Sequence, residues 1–319
     1  MAKRIRILHS EAKHYCAKAR LILKSFADVD YADLRRPQLL KKVASYDALI
    51  IRLNNAVDRE VLERGKNLKA LATPTTGTNH LDEVFAAKKG VSVISLKGER
   101  KFLNSISSTA EHTFGLLLSL MRRIPVAQYS VLSGQWARER FLGHELSGKT
   151  IGIIGFGRLG RMVARYADTF GMNVLANEID RDVTPPVYVK FCSLEALLKK
   201  SDVVTVHVPL NDKTKNLLDA RQLRLMKKGA VLLNTARGAL VDEREVVRLL
   251  RKKHLAGFAG DVLAGEEKPN FKVLNAALVR YARTHSNVVI TPHIGGAAIE
   301  AIDKTDIFIA QKLKKFFKG

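Results

Sequence analysis

The sequence has few cysteines and no long apolar run, and both features limit the class of protein it encodes. Cys16 and Cys192 are its only cysteines, and their spacing fits neither a disulfide framework nor a metal site. We therefore expect a reducing compartment and no bound metal. No segment approaches the ~20 apolar residues that cross a membrane, and the basic N-terminus lacks the apolar run of a signal peptide. A cytoplasmic protein without membrane contact is expected.

Acidic residues are also scarce relative to basic ones. The chain has 54 Lys and Arg against 31 Asp and Glu, a net charge of +23. This excess is spread along the chain, since residues 1–104 carry 21 basic and 11 acidic side chains and residues 105–293 carry 28 and 17. No basic arm and no stripe interleaved with aromatic residues is present, as a nucleic-acid-binding protein would need. A generally basic surface that attracts anionic substrates is expected, and nucleic-acid binding is not.

Apolar runs and helical patterns alternate twice along the chain. In the first hundred residues, strands are predicted at 5–8, 48–53, 68–73 and 91–95. Six further apolar segments, from TIGII to NVVITPH, predict a second, six-stranded, doubly wound sheet. Such alternation is typical of α/β domains with parallel sheets and helices on both faces.

Two long helices are predicted outside the alternating series. STAEHTFGLLLSLMRRI (108–124) begins with Ser and Thr, and Glu111 follows as in a capping box. The amphipathic segment after residue 294 has no place in the second series and is predicted to complete the first domain. The expected domains are therefore 1–104 with 295–319, and 105–294.

The strongest local motif is a G-x-G-x-x-G turn between a strand and a helix, which indicates dinucleotide binding. Gly155 permits the tight turn, Gly157 lets the backbone approach a pyrophosphate, and Gly160 lets helix and strand pack closely. The helix N-terminus then offers N–H groups to the phosphates. Arg158 and Leu159 lie within this turn and are predicted cofactor contacts.

An acidic residue follows the next predicted strand, as a dinucleotide site requires. Glu178 lies 18 residues after Gly160, where its carboxylate would accept hydrogen bonds from ribose hydroxyls and repel a 2′-phosphate. This favours NAD over NADP, although Arg181 nearby would weaken the preference.

Polar residues follow several strands of the second series, at the sheet edge where α/β proteins bind ligands. The residues there that we predict to contact the cofactor are His207, Pro209, Thr214, Thr235, Ala236, Asp261 and Gly295. Arg237, Glu266 and His293 lie at the same edge and fit a single reaction.

Several motifs together resemble the D-isomer-specific 2-hydroxyacid dehydrogenase family, which includes phosphoglycerate dehydrogenases, glyoxylate and hydroxypyruvate reductases and D-lactate dehydrogenases. In chain order they are TTGTNHLD, ELSGKTIGIIGFGRLGR, VPLNDKT, NTARGALVDE and TPHIGGAA. The resemblance implies that Arg237, Glu266 and His293 are the catalytic Arg, Glu and His. It also implies a Rossmann-type NAD domain, a flavodoxin-like discontinuous substrate domain, and a homodimer.

The same resemblance implies substrate-binding residues in the first domain. Thr76, Gly77 and Thr78 match the loop whose backbone N–H groups bind the substrate carboxylate, and Arg52 matches a frequent substrate-side position. The expected substrate is a small anionic 2-keto or 2-hydroxy acid.

Side-chain chemistry indicates how the implied catalytic residues act. Arg237 would pair with the substrate through its planar, permanently charged guanidinium. His293 would protonate the carbonyl oxygen during hydride transfer from NADH, and Glu266 would supply the opposing charge and fix the ring. The alternative interpretation is an NAD(H)-sensing, corepressor-like interaction protein with little turnover. A formate or phosphite dehydrogenase is a minor alternative, against which Glu266 argues.

Overall fold

The computed structural model describes residues 4–180, 182–268 and 270–319. Its contacts divide the chain into two compact units. Unit 1 comprises Met1–Ile106, Glu267–Phe271 and Ala297–Gly319, and unit 2 comprises Ser107–Glu266 and Lys272–Gly296.

Twelve strands and thirteen α-helices form within the described residues. The strands are β1 Ile5–His9, β2 Ala27–Tyr31, β3 Ala48–Ile50, β4 Ala70–Ala72, β5 Ser92–Ile94, β6 Thr150–Ile154, β7 Asn173–Asn177, β8 Val189–Phe191, β9 Val203–Val206, β10 Ala230–Asn234, β11 Leu255–Gly260 and β12 Val288–Ile290. The helices are α1 Ala17–Lys24, α2 Arg36–Lys42, α3 Arg59–Arg64, α4 Glu83–Lys88, α5 Arg100–Leu103, α6 Ser108–Met121, α7 Ile124–Leu132, α8 Arg158–Thr169, α9 Leu194–Lys200, α10 Ala220–Arg224, α11 Glu243–Arg251, α12 Ala277–Ala282 and α13 Ile299–Lys318. No helix within the described residues is both long enough and apolar enough to span a membrane.

Unit 1 is built on a five-stranded parallel sheet in the order β2-β1-β3-β4-β5, the flavodoxin-like order. The four predicted strands correspond to β1, β3, β4 and β5. Strand β2 was not predicted, because it is an edge strand in which Asp28 and Asp30 interrupt the apolar residues. Helix α13 packs along α1 in this unit, and its apolar face, with Ile309 and Leu313, joins the core below the sheet.

Unit 2 is built on a seven-stranded parallel sheet in the order β12-β11-β10-β9-β6-β7-β8. The prediction of two doubly wound parallel-sheet domains is confirmed, but the number of strands in the second sheet is wrong by one. The extra strand is β8, a three-residue edge strand whose central Lys190 is exposed. Such a short strand has no apolar run to indicate it.

The chain reverses direction across the sheet of unit 2 beside β6. Strands β7 and β8 extend the sheet to one side of β6, and β9 to β12 extend it to the other. Helix α8 packs on the β6 face that carries Ile151 and Ile153, and α9 packs on the opposite face at Gly152. The carboxyl ends of β6 and β9 therefore form the crevice at which doubly wound sheets bind ligands.

Helix α6 packs against α8 and β11 and places its apolar residues in the core of unit 2. The capping box predicted at its N-terminus is absent. The hydroxyl of Ser107 donates to the Glu111 carboxylate at 2.5 Å, and no side chain caps a backbone N–H there. The two side chains satisfy each other instead of the backbone.

Candidate active site

The glycine turn joins β6 to α8 at the crevice of unit 2. Gly155 has φ +91°, and a Cβ at this position would lie 2.7 Å from the carbonyl oxygen of His207. A Cβ at Gly160, inside α8, would lie 2.1 Å from the carbonyl oxygen of Gly155. Backbone conformation and close approach therefore both require glycine, as the motif predicts.

The N-terminus of α8 fits a dinucleotide phosphate. A Cβ on Gly157 would meet no atom within 4 Å, so space lies beside the backbone there. Gly157 is also the N-cap residue, and no side chain caps the first turn. The N-terminal N–H groups and the positive end of the helix dipole suit an anion. Beside this turn, burial lowers the pKa of Arg158.

Glu178 follows β7 and lies next to the glycine turn. Its Oε2 accepts a hydrogen bond from the backbone N–H of Phe156 at 2.8 Å. Its Oε1 accepts from the N–H groups of Ile179 at 2.8 Å and Asp180 at 3.0 Å. Three backbone donors thus fix a negative charge at the end of the second strand of this sheet. Arg181, predicted to weaken the NAD preference, lies outside the described residues.

His207 follows β9 and carries a neutral imidazole. Burial lowers the pKa of His207 to about 4. Its Nε2 lies 2.9 Å from the hydroxyl of Thr205, whereas its buried Nδ1 has no hydrogen-bond partner within the described ranges. A buried, unpaired ring nitrogen is costly, so a ligand or water in the crevice would satisfy it.

The segment after His207 closes into a turn. The hydroxyl of Thr214 donates to the carbonyl oxygen of Pro209 at 2.6 Å and accepts from the N–H of Asn211 at 2.9 Å. Pro209 and Thr214, both predicted cofactor contacts, therefore lie on one loop at the carboxyl end of β9.

Glu266 and His293 come together at the far side of the same sheet edge. His293 Nδ1 lies 2.7 Å from Oε1 of Glu266. The other carboxylate oxygen of Glu266 accepts from the N–H of Leu263 at 3.0 Å, which orients the carboxylate. The side chains of His293 and Glu266 are 30% and 22% exposed, so the pair is reachable from solvent. In the part of the chain that the structure describes, His293 Nε2 makes no hydrogen bond.

The loop that carries His293 is held by the buried carboxylate of Asp261. This carboxylate accepts from the N–H groups of Ile294 at 2.8 Å and Gly295 at 2.7 Å, and from the hydroxyl of Thr291 at 2.5 Å. His293 itself has φ +55°, a conformation that costs energy in a non-glycine residue. We infer that the Asp261 hydrogen bonds offset this cost, a role that the sequence did not reveal.

Helix α6 also contacts this loop through His112. Its Nε2 lies 2.9 Å from the Thr291 hydroxyl and 3.3 Å from Oδ1 of Asp261. His112 thus completes the hydrogen-bond network beneath the catalytic candidate. Residues 112, 261 and 291 are far apart in the sequence, so no local pattern indicated this network.

Arg237 follows β10, whose neighbour β11 leads to Glu266. Nη1 of Arg237 donates to the carbonyl oxygen of Ala236 at 2.6 Å. A Cβ on Gly238 would lie only 2.1 Å from the carbonyl carbon of Leu263, so the Arg237 loop rests directly on the Glu266 loop. This contact requires glycine at position 238 and brings the two loops together.

Thr235 and Ala236 lie between β10 and Arg237. The hydroxyl of Thr235 lies 2.9 Å from that of Thr113 in α6, and the N–H of Ala236 donates to Oδ1 of Asn234 at 3.1 Å. These contacts fix the backbone of the loop at the edge where we predict the cofactor to bind.

Glu243, at the start of α11, also joins these loops and was not predicted. Its Oε1 accepts from the N–H of Ala264 at 2.7 Å. Burial, with the neighbouring charges of Glu266 and Asp242, raises the pKa of Glu243 to about 6. The motif NTARGALVDE contains this residue, but only the fold reveals that it lies near Glu266.

In unit 1, the predicted substrate loop follows β4. The hydroxyl of Thr75 donates to the carbonyl oxygen of Gly77 at 2.8 Å and shapes the turn. The backbone N–H groups of Thr76, Gly77 and Thr78 make no hydrogen bond within the described residues of the chain. Consecutive unpaired N–H groups form a suitable cradle for a carboxylate.

Arg52 in unit 1 is engaged by another side chain. Its Nη2 lies 2.8 and 2.7 Å from the two carboxylate oxygens of Asp306 in α13. The carboxylate of Asp306 is fully buried, and burial raises its pKa although Arg52 opposes the shift. Arg52 thus has an ion-pair partner of its own, and its predicted contact with substrate stays a prediction.

Along most of its length the chain is similar to proteins with a named enzymatic activity. Residues 114–295 match the family model for the D-isomer specific 2-hydroxyacid dehydrogenase, NAD binding domain. The chain is 36% identical to the glyoxylate reductase of Thermococcus litoralis, over 89% of this chain and 84% of that protein. It is 34% identical to the D-3-phosphoglycerate dehydrogenase of Methanocaldococcus jannaschii, over 93% of this chain but only 55% of that longer protein.

A solved structure agrees with these sequence matches. The D-lactate dehydrogenase of Aquifex aeolicus, complexed with NAD and lactic acid, superposes with a TM-score of 0.82 at 26% identity, covering 98% of this chain and 96% of that one. The named relatives are dehydrogenases and reductases, and none of them supports the corepressor-like alternative. NAD is the cofactor that the matched domain binds. The chain therefore belongs to the D-isomer-specific 2-hydroxyacid dehydrogenase family of NAD-dependent oxidoreductases.

Proposed function

We propose that the protein reduces a small 2-keto acid to the D-2-hydroxy acid with NADH, and catalyses the reverse oxidation. The observation that carries this proposal is the 2.7 Å contact between His293 Nδ1 and the Glu266 carboxylate. This contact leaves Nε2 to exchange a proton with a substrate oxygen.

His293 acts as the general acid in the reductive direction. Glu266 accepts a hydrogen bond from Nδ1, which fixes the tautomer and the ring orientation. Nε2 then donates its proton to the carbonyl oxygen, and it accepts the proton back when the hydroxy acid is oxidised. Bound NADH supplies the hydride for the carbonyl carbon.

Cations and backbone donors recognise the anionic substrate. Arg237 stays charged at every relevant pH, and its planar guanidinium suits a 2-keto carboxylate. The N–H groups of Thr76–Thr78 are the proposed backbone ligands of the carboxylate, and Arg52 remains a predicted contact. The high net charge of +23 favours the encounter with an anion.

The cofactor would be held at the carboxyl edge of the unit 2 sheet. The open backbone at Gly157 and the uncapped N-terminus of α8 suit the pyrophosphate. Glu178 suits the adenosine ribose, and the unpaired Nδ1 of His207 suits a further polar contact. By this proposal residues 105–294 form the NAD domain, and residues 1–104 with 295–319 form the substrate domain.

The decisive test compares the protein with a His293→Asn variant on a panel of 2-keto acids. We expect NADH consumption with at least one acid, and a loss of kcat of about 10²- to 10⁴-fold in the variant. His285→Asn, which alters an exposed histidine of the same unit, should leave kcat unchanged. NADH fluorescence should show that both variants still bind the cofactor. Absence of turnover with the whole panel, or an active His293→Asn variant, would refute the proposal.

Two further proposals concern the setting of the enzyme rather than its chemistry. The family resemblance suggests a homodimer built through residues 105–145, which sedimentation of the purified protein would test. The two cysteines without a disulfide framework suggest a cytoplasmic location, which cell fractionation would test.

A further inference from the structure

A basic pocket lies on unit 2 and shares no residue with the candidate active site. Its volume is about 650 Å³. The residues that line it, here called the basic pocket, are Arg224, Lys228, Arg248, Leu249, Lys252 and His254. They belong to α10, to α11 and to the turns that lead into β10 and β11.

The basic pocket lies at the opposite end of the strands from the candidate active site. Lys228 precedes β10 and His254 immediately precedes β11, so both lie at amino ends. Arg237 and Asp261 follow the same two strands at their carboxyl ends. A ligand in the basic pocket would therefore leave the catalytic edge accessible.

Positive charge is dense in the two segments that line this pocket. The segments RQLRLMKK (221–228) and RLLRKKH (248–254) contain eight Lys and Arg residues and no Asp or Glu. Cations crowded on one surface repel each other and attract anions.

Glu245 positions two of the cations without covering them. Its carboxylate accepts from Nε of Arg224 at 3.0 Å and from Nε of Arg248 at 2.5 Å. The Glu245 side chain is only 7% exposed, whereas those of Arg224 and Arg248 are 59% and 38% exposed. Both guanidinium groups are thus held in place while part of each faces the pocket. A pre-positioned guanidinium suits a phosphate better than a mobile one.

Two lysines of the pocket have no anionic partner of their own. Lys228 and Lys252 are exposed and form no ion pair with any described residue, whereas the neighbouring Lys227 binds Asp202 at 2.6 Å. Leu249, almost fully buried, is the apolar residue of the lining. The pocket therefore presents two fixed guanidinium groups and two uncompensated ammonium groups.

We propose that the basic pocket binds a small ligand that carries two or more linked phosphate groups. Four cations around one cavity match a ligand with several negative charges. A volume of about 650 Å³ lies in the range of small-molecule sites, roughly 300–1,000 Å³. The cations come from two short segments, 224–228 and 248–254, whereas duplex nucleic acid would need a long basic stripe.

The test uses inorganic pyrophosphate as the probe and the NADH-saturated protein, so that the dinucleotide site is occupied. Titration calorimetry should detect binding that weakens as salt is added. Lys228→Gln with Lys252→Gln should weaken it by at least about tenfold. The matched control, Lys88→Gln with Lys89→Gln, removes two exposed charges from unit 1 and should change affinity less than about twofold.

Three outcomes would overturn the proposal. The first is that pyrophosphate does not bind, and the second is that both double variants weaken pyrophosphate binding equally. The third is that the protein retains a short DNA duplex at about 0.2 M salt more tightly than it binds pyrophosphate, and that only the pocket variant loses this retention. The last result would assign the pocket to nucleic acid. Because Lys228 and Lys252 lie far from the catalytic edge, turnover of 2-keto acid should be unchanged in either double variant. The result is therefore independent of the proposed enzymatic activity.

Discussion

Replacing Glu243 with Gln should stabilise the protein at neutral pH, and the size of the effect follows from the structure. Burial beside Glu266 raises the pKa of Glu243 from 4.5 to about 6. The pKa of Glu243 is higher in the folded than in the unfolded state. The stabilising contribution of Glu243 is therefore fully present below pH 4.5 and is lost as pH rises through about 6. A shift of 1.5 units corresponds to roughly 2 kcal/mol. Gln is neutral throughout, and its amide oxygen can still accept from Ala264.

Thermal unfolding of both proteins between pH 4.5 and 7.5 measures this effect. The Tm of Glu243→Gln relative to the original should rise by about 4 to 8 °C over that interval, given roughly 2–4 °C per kcal/mol. Glu245→Gln is the matched control in the same helix. Arg248 and Arg224 lower the pKa of Glu245 to about 2, so its stabilising contribution is present above pH 4.5 and is lost as pH falls through 2. That variant should be destabilised at neutral pH. A Tm difference for Glu243→Gln that stays constant with pH would refute the reasoning.

Three further predictions concern the catalytic edge. Gly238→Ala places a Cβ against the Leu263 backbone and should lower kcat/KM by about 10²-fold in steady-state assays. The control Gly115→Ala adds a Cβ that meets no atom within 4 Å and should leave kcat/KM unchanged. Glu178→Gln removes the charge that repels a 2′-phosphate. The kcat/KM with NADPH, divided by that with NADH, should rise by roughly tenfold. An unchanged ratio would place the ribose elsewhere. Asp261→Asn turns an amide toward the N–H groups of the His293 loop. It should lower the unfolding free energy by about 1–3 kcal/mol in urea titrations, and it should also lower kcat. An unchanged kcat would show that the loop does not depend on this carboxylate.

The central strands could be predicted from the sequence because both of their faces are buried. Strands β6, β9 and β10 are nearly continuous apolar runs, which indicate a parallel sheet covered by helices. The edge strands β5 and β12 were predicted from their apolar runs, whereas the edge strands β2 and β8 were not, because their residues alternate with charged ones. Pairing with a neighbour, rather than local apolarity, defines these strands.

The candidate site was predictable where a motif combines local geometry and chemistry. The glycine turn and Glu178 lie on consecutive elements, so spacing alone indicated that they are neighbours. The network of His112, Asp261 and Thr291 joins a helix to two distant loops, and Glu243 approaches Ala264 across 21 residues. Contacts of this kind depend on how strands and helices pack, which periodicity does not specify.

The hydrogen bonds of Asp261 hold the His293 loop directly, in addition to the pairing of β12 with β11 just before it. Both ends of the 291–295 loop are held by one buried carboxylate at the end of β11, not by the segment from Lys272 to Asn287. Within that segment Leu278 and Tyr281 of α12 are buried, whereas residues 272–275 are exposed, so a change in length is tolerated best at 272–275. Doubling the length of such a connection costs only about 0.6 kcal/mol in loop-closure entropy. Such a change would leave intact the hydrogen bonds that hold His293, the proposed general acid.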